Sequence, residues 1–201
     1  MTEKKKLPLW IFFVIALIIA LAGGYAAIHY TVKSTQVAPQ QSNTIGGSFQ
    51  LLSPSGNVVN DGIFRGKWML MYFGASRCLH NECSKNLIKM GKVIELLGNK
   101  ASKLSPIFIS FDIQYDTPSR LMLYMKPFNH KILALTGGEL AIRDISILYH
   151  IPLNKIKAGE KTELIVPYNQ FIVMDPQGIY NSSIPTEDSA EQIAQKLDKI
   201  I

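Results

Sequence analysis

The sequence predicts an α/β domain built on a mixed sheet, carried behind one N-terminal transmembrane helix. Three observations predict it. A long uncharged apolar run stands near the N-terminus. Beyond residue 44, strand-length apolar runs alternate with segments whose apolar residues recur at helical spacing, the pattern of strands separated by helices. Gly- and Pro-containing turns near both ends of that region predict antiparallel strands at the sheet edges.

The N-terminal run extends from Leu7 to Ile28 without a charged residue. About 20 apolar residues suffice to cross a bilayer as a helix, which satisfies its own backbone polar groups without water. Lys4, Lys5 and Lys6 precede it, and positive residues favour the cytoplasmic side. Trp10 and Tyr30 stand near its ends as interfacial aromatics. A cleaved signal peptide has a shorter core of about 7–15 residues, so the run reads as an uncleaved anchor. The lysine-led start lacks the arginine- and serine-rich character of an organellar transit peptide. The expected organisation is a cytoplasmic basic tail (1–6), a transmembrane anchor (7–29), a polar linker (30–43) and one domain (44–201). The expected location is a bacterial inner membrane, crossed once in contact with membrane lipid, with the domain in the periplasm.

Within the domain, Phe49 to Leu52 and Asn57 to Val59 flank Ser53-Pro54-Ser55-Gly56 and predict a hairpin. Trp68 to Phe73 is continuously apolar, as a strand buried on both faces must be. Leu87, Met90, Ile94 and Leu97 recur at helical spacing, with Gly98 as the stop. Pro106 to Phe111 predicts a second buried strand, and Asp116-Thr117-Pro118 starts a helix to about Phe128. Lys131 to Leu135 predicts a short strand, and Gly137-Gly138 leads into a helix ending near Tyr149. Phe171 to Met174 predicts the closing strand, with a turn at Asp175 to Gly178. From Tyr180 the chain approaches a last helix, Thr186 to Ile201, acidic first and basic last as the helix dipole favours.

The formal net charge is +6, and half of that surplus precedes residue 35. The domain's remaining cations form no run and no aromatic-interleaved patch, so nucleic-acid binding is not expected. There is no internal repeat.

The two cysteines, Cys78 and Cys83, fall between the Trp68–Phe73 strand and the helix after it. A helix N-terminus offers free N–H groups and a positive dipole end, which favour thiolate, the form that attacks disulfides and binds soft metals. Their sulfurs can meet only if Cys78 stays in the loop and Cys83 opens the helix. Two readings stand: a stabilising disulfide, or a redox-active or metal-binding pair. A loop this short restricts the unfolded chain little, so it is a poor staple, and disulfides persist outside the cytoplasm. Arg77 beside Cys78 is a further thiolate-favouring neighbour, though without the motif of a peroxidase. Asp112 and Asp116 read as capping, solvent-exposed residues rather than a hard-metal cage. His130 and His150 read as helix-end residues, and His29 as membrane-edge.

The stretch from Gly66 through Tyr72-Phe73-Gly74-Ala75-Ser76-Arg77-Cys78, then Cys83 and its helix, resembles the Sco/SenC family. So do Ile45-Gly46-Gly47-Ser48-Phe49, Ile109-Ser110-Phe111-Asp112 with Asp116-Thr117-Pro118, Leu135-Thr136-Gly137, and Val173 to Gly178. The ordered set spans nearly the whole domain. The resemblance implies a thioredoxin-like fold and a membrane-anchored assembly factor for the copper centre of cytochrome c oxidase, whose copper-site subunit is the implied partner. Two departures stand out. The family's Cys-Pro-x-x-Cys-Pro is replaced by Cys78-Leu79-His80-Asn81-Glu82-Cys83-Ser84, one residue longer and without prolines. The family's third copper ligand, a histidine, falls on Pro167, which also invites comparison with the cis-proline of thioredoxin-like folds.

The expected function is therefore Cu(I) binding by Cys78 and Cys83, with His80 as a candidate replacement ligand, and/or reduction of target cysteines by the same pair. Cu(I) is soft and suits thiolate and imidazole. Metal handling is expected ahead of enzymatic turnover. The alternatives are a copper-free thiol-disulfide oxidoreductase or redox sensor of the envelope, and a non-metallated scaffold.

Overall fold

Among the described residues, nine strands and four main helices follow from the alternation of apolar runs and amphipathic segments. The computed structural model describes Trp10, Ile18, Ala20 and residues 44–157 and 163–201. The expected tail (1–6), linker (30–43) and nearly all of the anchor (7–29) lie outside the described residues; Trp10, Ile18 and Ala20 are helical and exposed. Among the described residues no helix is long and apolar enough to cross a membrane. Ser42–Ile201 forms a compact unit of its own.

The opening hairpin pairs β1 (Gln50–Leu52) with β2 (Val58–Asn60). Then come β3 (Trp68–Gly74), α1 (Glu82–Leu97), β4 (Leu104–Ser110), α2 (Pro118–Met125), β5 (Leu133–Leu135) and α3 (Glu139–Leu148). A second hairpin joins β6 (Lys155–Lys157) to β7 (Glu163–Ile165), and β8 (Gln170–Met174), β9 (Tyr180–Pro185) and α4 (Ala190–Asp198) complete the chain. The main sheet has the order β5-β4-β3-β8-β9. β3 runs parallel to β4 and antiparallel to β8, so β3 is its centre.

β3 explains why its run is unbroken. Leu70 and Tyr72 face one core, with Leu87, Met90 and Ile94 of α1 and Ile193 and Leu197 of α4. Met69, Met71 and Phe73 face the other, with Leu51 of β1, Ile142 and Ile145 of α3, and Tyr149. A strand covered on both faces must be apolar at every position, and Tyr72 is its one polar exception. α1 ends at Gly98, whose φ of 53° is a conformation other residues adopt at a cost. Thr117 caps α2, accepting from the Arg120 N–H, with Pro118 at its first position.

Three expectations are corrected. The opening hairpin is not an edge of the main sheet; it forms its own two-stranded sheet, tied to the main one by a bridge from Leu52 to Thr136. β8 is not the edge either, because residues 180–185 form β9 beyond it. β9 buries only Ile184 and ends in proline, as an edge strand tolerates, so its apolar signal is faint. The last helix is correspondingly shorter: Ser189 and Gln192 form a reciprocal capping box at its start. The β6–β7 hairpin had no expectation at all. A mixed sheet with helices on both faces is the thioredoxin-like arrangement that the resemblance implies.

Candidate functional site

β3 ends at Gly74 and α1 begins at Glu82, so both cysteines sit at the C-terminal end of the central strand. Crevices outside the carboxyl ends of strands are where α/β sheets commonly place ligands. Cys78 stays in the loop, and Cys83 is the second residue of α1, as their meeting requires. They form a disulfide with Cα atoms 5.7 Å apart. His80 and Asn81 turn the intervening loop with φ of 53° and 59°, a region that His and Asn enter more readily than most residues. The Asn81 N–H donates to the Cys78 carbonyl at 3.3 Å, closing the turn.

The two sulfurs have unequal surroundings. Cys78 keeps 6% of its surface exposed and Cys83 1%. The Ala75 N–H donates to Cys83 Sγ at 3.3 Å, and the Tyr72 hydroxyl donates to it at 3.7 Å. Asn86, one turn along α1, donates through Nδ2 to Tyr72 Oη at 2.9 Å. Burial pushes the Tyr72 phenol well above its ordinary range, outweighing the Asn86 hydrogen bond, so the hydroxyl keeps its proton to donate. Gly74 is the floor: a Cβ there would run into Cys83 Sγ and stand 3.6 Å from Cys78 Sγ.

The loop before Cys78 is clamped from the loop that follows β4. Asp116 accepts from the Ser76 N–H at 2.7 Å and from the Ser76 and Ser110 hydroxyls. Asp112 accepts from Arg77 Nε at 2.8 Å and lies 2.6 Å from Nη2. The Arg77 guanidinium also stacks 4.1 Å above the Tyr115 ring, whose other cation neighbour is Arg120 at 4.4 Å. The expected solvent exposure of the two aspartates is corrected: Asp112 is 3% and Asp116 1% exposed. Capping falls to Thr117, and both carboxylates hold the cysteine loop. The Arg77 guanidinium is engaged by Asp112 and the Tyr115 ring.

Ile165 of β7 bridges to Cys78, and its N–H donates to the Arg77 carbonyl at 3.0 Å. It is buried in the same cluster as both cysteines, so the second hairpin packs beside Cys78. Pro167, two residues on, shares a cleft of about 440 Å³ with Glu82, Lys85 and Asn86 at the start of α1. No peptide bond among the described residues is cis, so Pro167 does not reproduce a cis-proline. His80 is exposed. Among the described residues, no group of three or more His, Cys, Asp or Glu is placed to hold a metal ion. A cleft of about 760 Å³, lined by Phe64, Gly98, Leu104 and Lys131 among others, lies at the opposite ends of β3 and β4.

The arrangement presents two soft sulfurs that share one bond when oxidised and become two adjacent thiols when reduced. Sequence reasoning found both cysteines but missed Tyr72, Asn86, Gly74 and Ile165. A hydroxyl inside a doubly buried strand needs a partner, so Tyr72 carried a signal that was there to be read.

Comparison with known proteins follows the same residues. The SCO1/SenC family model matches residues 37–201. The mitochondrial SCO1 homolog 2 of Arabidopsis thaliana is 29% identical over 201 residues, which is 92% of this chain and 72% of that protein. An SCO2-like protein of Rickettsia conorii is 33% identical over 194 residues, 93% of this chain and 94% of its own. The copper-bound structure of ScoI from Bradyrhizobium japonicum superimposes with a TM-score of 0.72 at 27% identity, covering 78% of this chain and 99% of that one.

Proposed function

Because the chain belongs to the SCO1/SenC family, we propose that it is an assembly factor for the copper centre of cytochrome c oxidase, with Cys78 and Cys83 as its working residues. The observation that carries the proposal is the pairing of the two sulfurs at the end of the central strand and the start of α1. Copper is cargo in this reading. A thiol reductant, two of its own thiols being oxidised to a disulfide by exchange, first converts the pair to two thiols. Deprotonated, these offer Cu(I) a two-thiolate site, the soft donor set it favours. The Ala75 N–H and the free N–H groups at the start of α1 favour the charged sulfur at Cys83. His80 stands between the thiols and is the imidazole that joins them if the loop reopens on reduction.

The same pair can instead pass electrons to target cysteines through a mixed disulfide. Pro167 at the family's histidine position favours this second reading, since it leaves the pair without the usual third ligand. Reduction of the oxidase's copper-site cysteines and delivery of Cu(I) are compatible tasks for one dithiol. A third reading, a non-metallated scaffold, predicts that the cysteines are dispensable.

The domain is proposed to stand on the periplasmic side of a bacterial inner membrane, anchored through residues 7–29. Alkaline phosphatase fused after Ile201 should then be active in cells, and an inactive fusion would overturn that orientation.

The functional test is genetic replacement in the native host. Cells carrying Cys78→Ser or Cys83→Ser should assemble cytochrome c oxidase with its copper centre depleted, read from oxidase copper content and the spectrum of that centre, and added copper should restore part of it. Normal oxidase with both serine variants would reject the dithiol function and leave the scaffold reading.

A further inference from the structure

We infer that Tyr72 is a catalytic hydrogen-bond donor for thiol–disulfide exchange at this site, its hydroxyl donating to the Cys83 sulfur as the Cys78–Cys83 bond breaks, with Asn86 as the residue that positions it. The inference rests on the exchange chemistry proposed above and adds to it a named donor. Three placements carry it. Tyr72 projects from β3 onto the α1 face of the sheet and reaches Cys83 Sγ at 3.7 Å. Its ring is fixed between neighbours, with centroids 5.3 Å from Phe171 and 6.0 Å from Phe108. Its oxygen accepts from Asn86 Nδ2 at 2.9 Å, which directs its one proton away from Asn86 and toward the sulfur. Asn86 is itself buried. A buried phenol needing only a partner would be satisfied by Asn86 alone; the contact to sulfur is what the second bond adds.

The exchange step balances without a proton transfer. An incoming thiolate, such as that of glutathione or a target cysteine, attacks Cys78 Sγ, the more exposed sulfur. A new S–S bond forms to Cys78, the Cys78–Cys83 bond breaks, and its electron pair stays on Cys83 Sγ as thiolate. The Ala75 N–H and the Tyr72 hydroxyl receive that charge as it develops. A second thiolate then attacks the target sulfur of the mixed disulfide and releases Cys78 as thiolate. The two incoming thiolates are oxidised to a disulfide and the cysteine pair is reduced; the reverse sequence reduces a target disulfide. A hydrogen bond that strengthens as charge appears accelerates the step and favours the reduced pair at equilibrium.

The test uses the full chain in detergent, oxidised, with reduced glutathione as the probe under anaerobic conditions. The wild type, Tyr72→Phe and Asn86→Leu are compared. Mass spectrometry follows the rate of glutathione adduct formation, and glutathione redox buffers give the equilibrium between disulfide and dithiol. Tyr72→Phe should slow adduct formation about fivefold and shift the equilibrium toward the disulfide by a similar factor, the effect of one lost hydrogen bond. Asn86→Leu should move both in the same direction by less. A purely structural loss weakens oxidised and reduced forms alike and leaves the equilibrium where it was. Rate and equilibrium within twofold of wild type in a folded Tyr72→Phe protein would overturn the inference while leaving the exchange reading intact. Should Tyr72→Phe fail to fold, an unchanged Asn86→Leu protein would overturn it. A wild type that forms no adduct would overturn the exchange reading and this inference together.

Discussion

Gly74 has no room for a side chain, because a Cβ would collide with Cys83 Sγ and press on Phe108 Cε2 at 3.4 Å. Gly74→Ala should therefore cost about 1–3 kcal/mol, the range for overpacking a filled core, and leave free thiols in air-oxidised protein. Chemical denaturation and thiol counting check both. Asp116 is the other residue on which the site depends. Its carboxylate receives the Ser76 N–H and two serine hydroxyls, and a buried donor left without its acceptor costs about 1–3 kcal/mol. Asp116→Ala should destabilise the domain by about 3 kcal/mol or more and loosen the loop before Cys78, read as faster reduction of the disulfide. The cysteines were legible because their position relative to a strand and a helix follows from local pattern. Tyr72, Asn86 and the aspartates were not, because their partners lie in other elements. A carboxylate that caps a helix and one that clamps a distant loop look alike in a single sequence.

At the scale of elements, the β6–β7 hairpin lies against the cysteine loop. Ile165 bridges to Cys78 and packs in the cysteine cluster. Ile165→Ala should cost about 2–5 kcal/mol, the usual range for truncating a buried isoleucine, and expose Cys78, so that glutathione reduces the disulfide faster than in wild type. Slower or unchanged reduction would mean that the hairpin does not shield the pair. The long elements were legible. β3, β4, β8 and α1 each bury apolar residues at the period their geometry demands. The three-residue strands β6 and β7 offered too few positions to show a period. β9 was obscured by its serines and asparagine, since an edge strand needs apolar residues on one face at most.

For the whole molecule, burial raises the phenols of Tyr72 and Tyr149 above their ordinary range, with nearby Asp61 adding to the effect at Tyr149. In the unfolded chain both ionise near pH 10, while the folded protein keeps them protonated. Their contribution to stability is therefore complete below about pH 10 and is lost as pH rises toward the folded values. The melting temperature should fall through this alkaline range, and Tyr149→Phe should make the fall shallower; an unaltered slope would contradict the assignment. The α/β mixed sheet was legible as a whole because alternation of strands and helices survives errors at single boundaries, while its thioredoxin-like character came only with the family resemblance. The separation of the opening hairpin from the main sheet was not, since pairing partners are long-range facts.

The central claim, that Cys78 and Cys83 together carry Cu(I), is tested most directly by an anaerobic Cu(I) titration of the reduced full chain in detergent against a competing chromophoric chelator. One tight equivalent is expected, lost in both Cys78→Ser and Cys83→Ser, with a further weakening in His80→Ala if the loop histidine joins the thiolates. Absence of binding above the chelator in the wild type, or full binding in either serine variant, would contradict the claim.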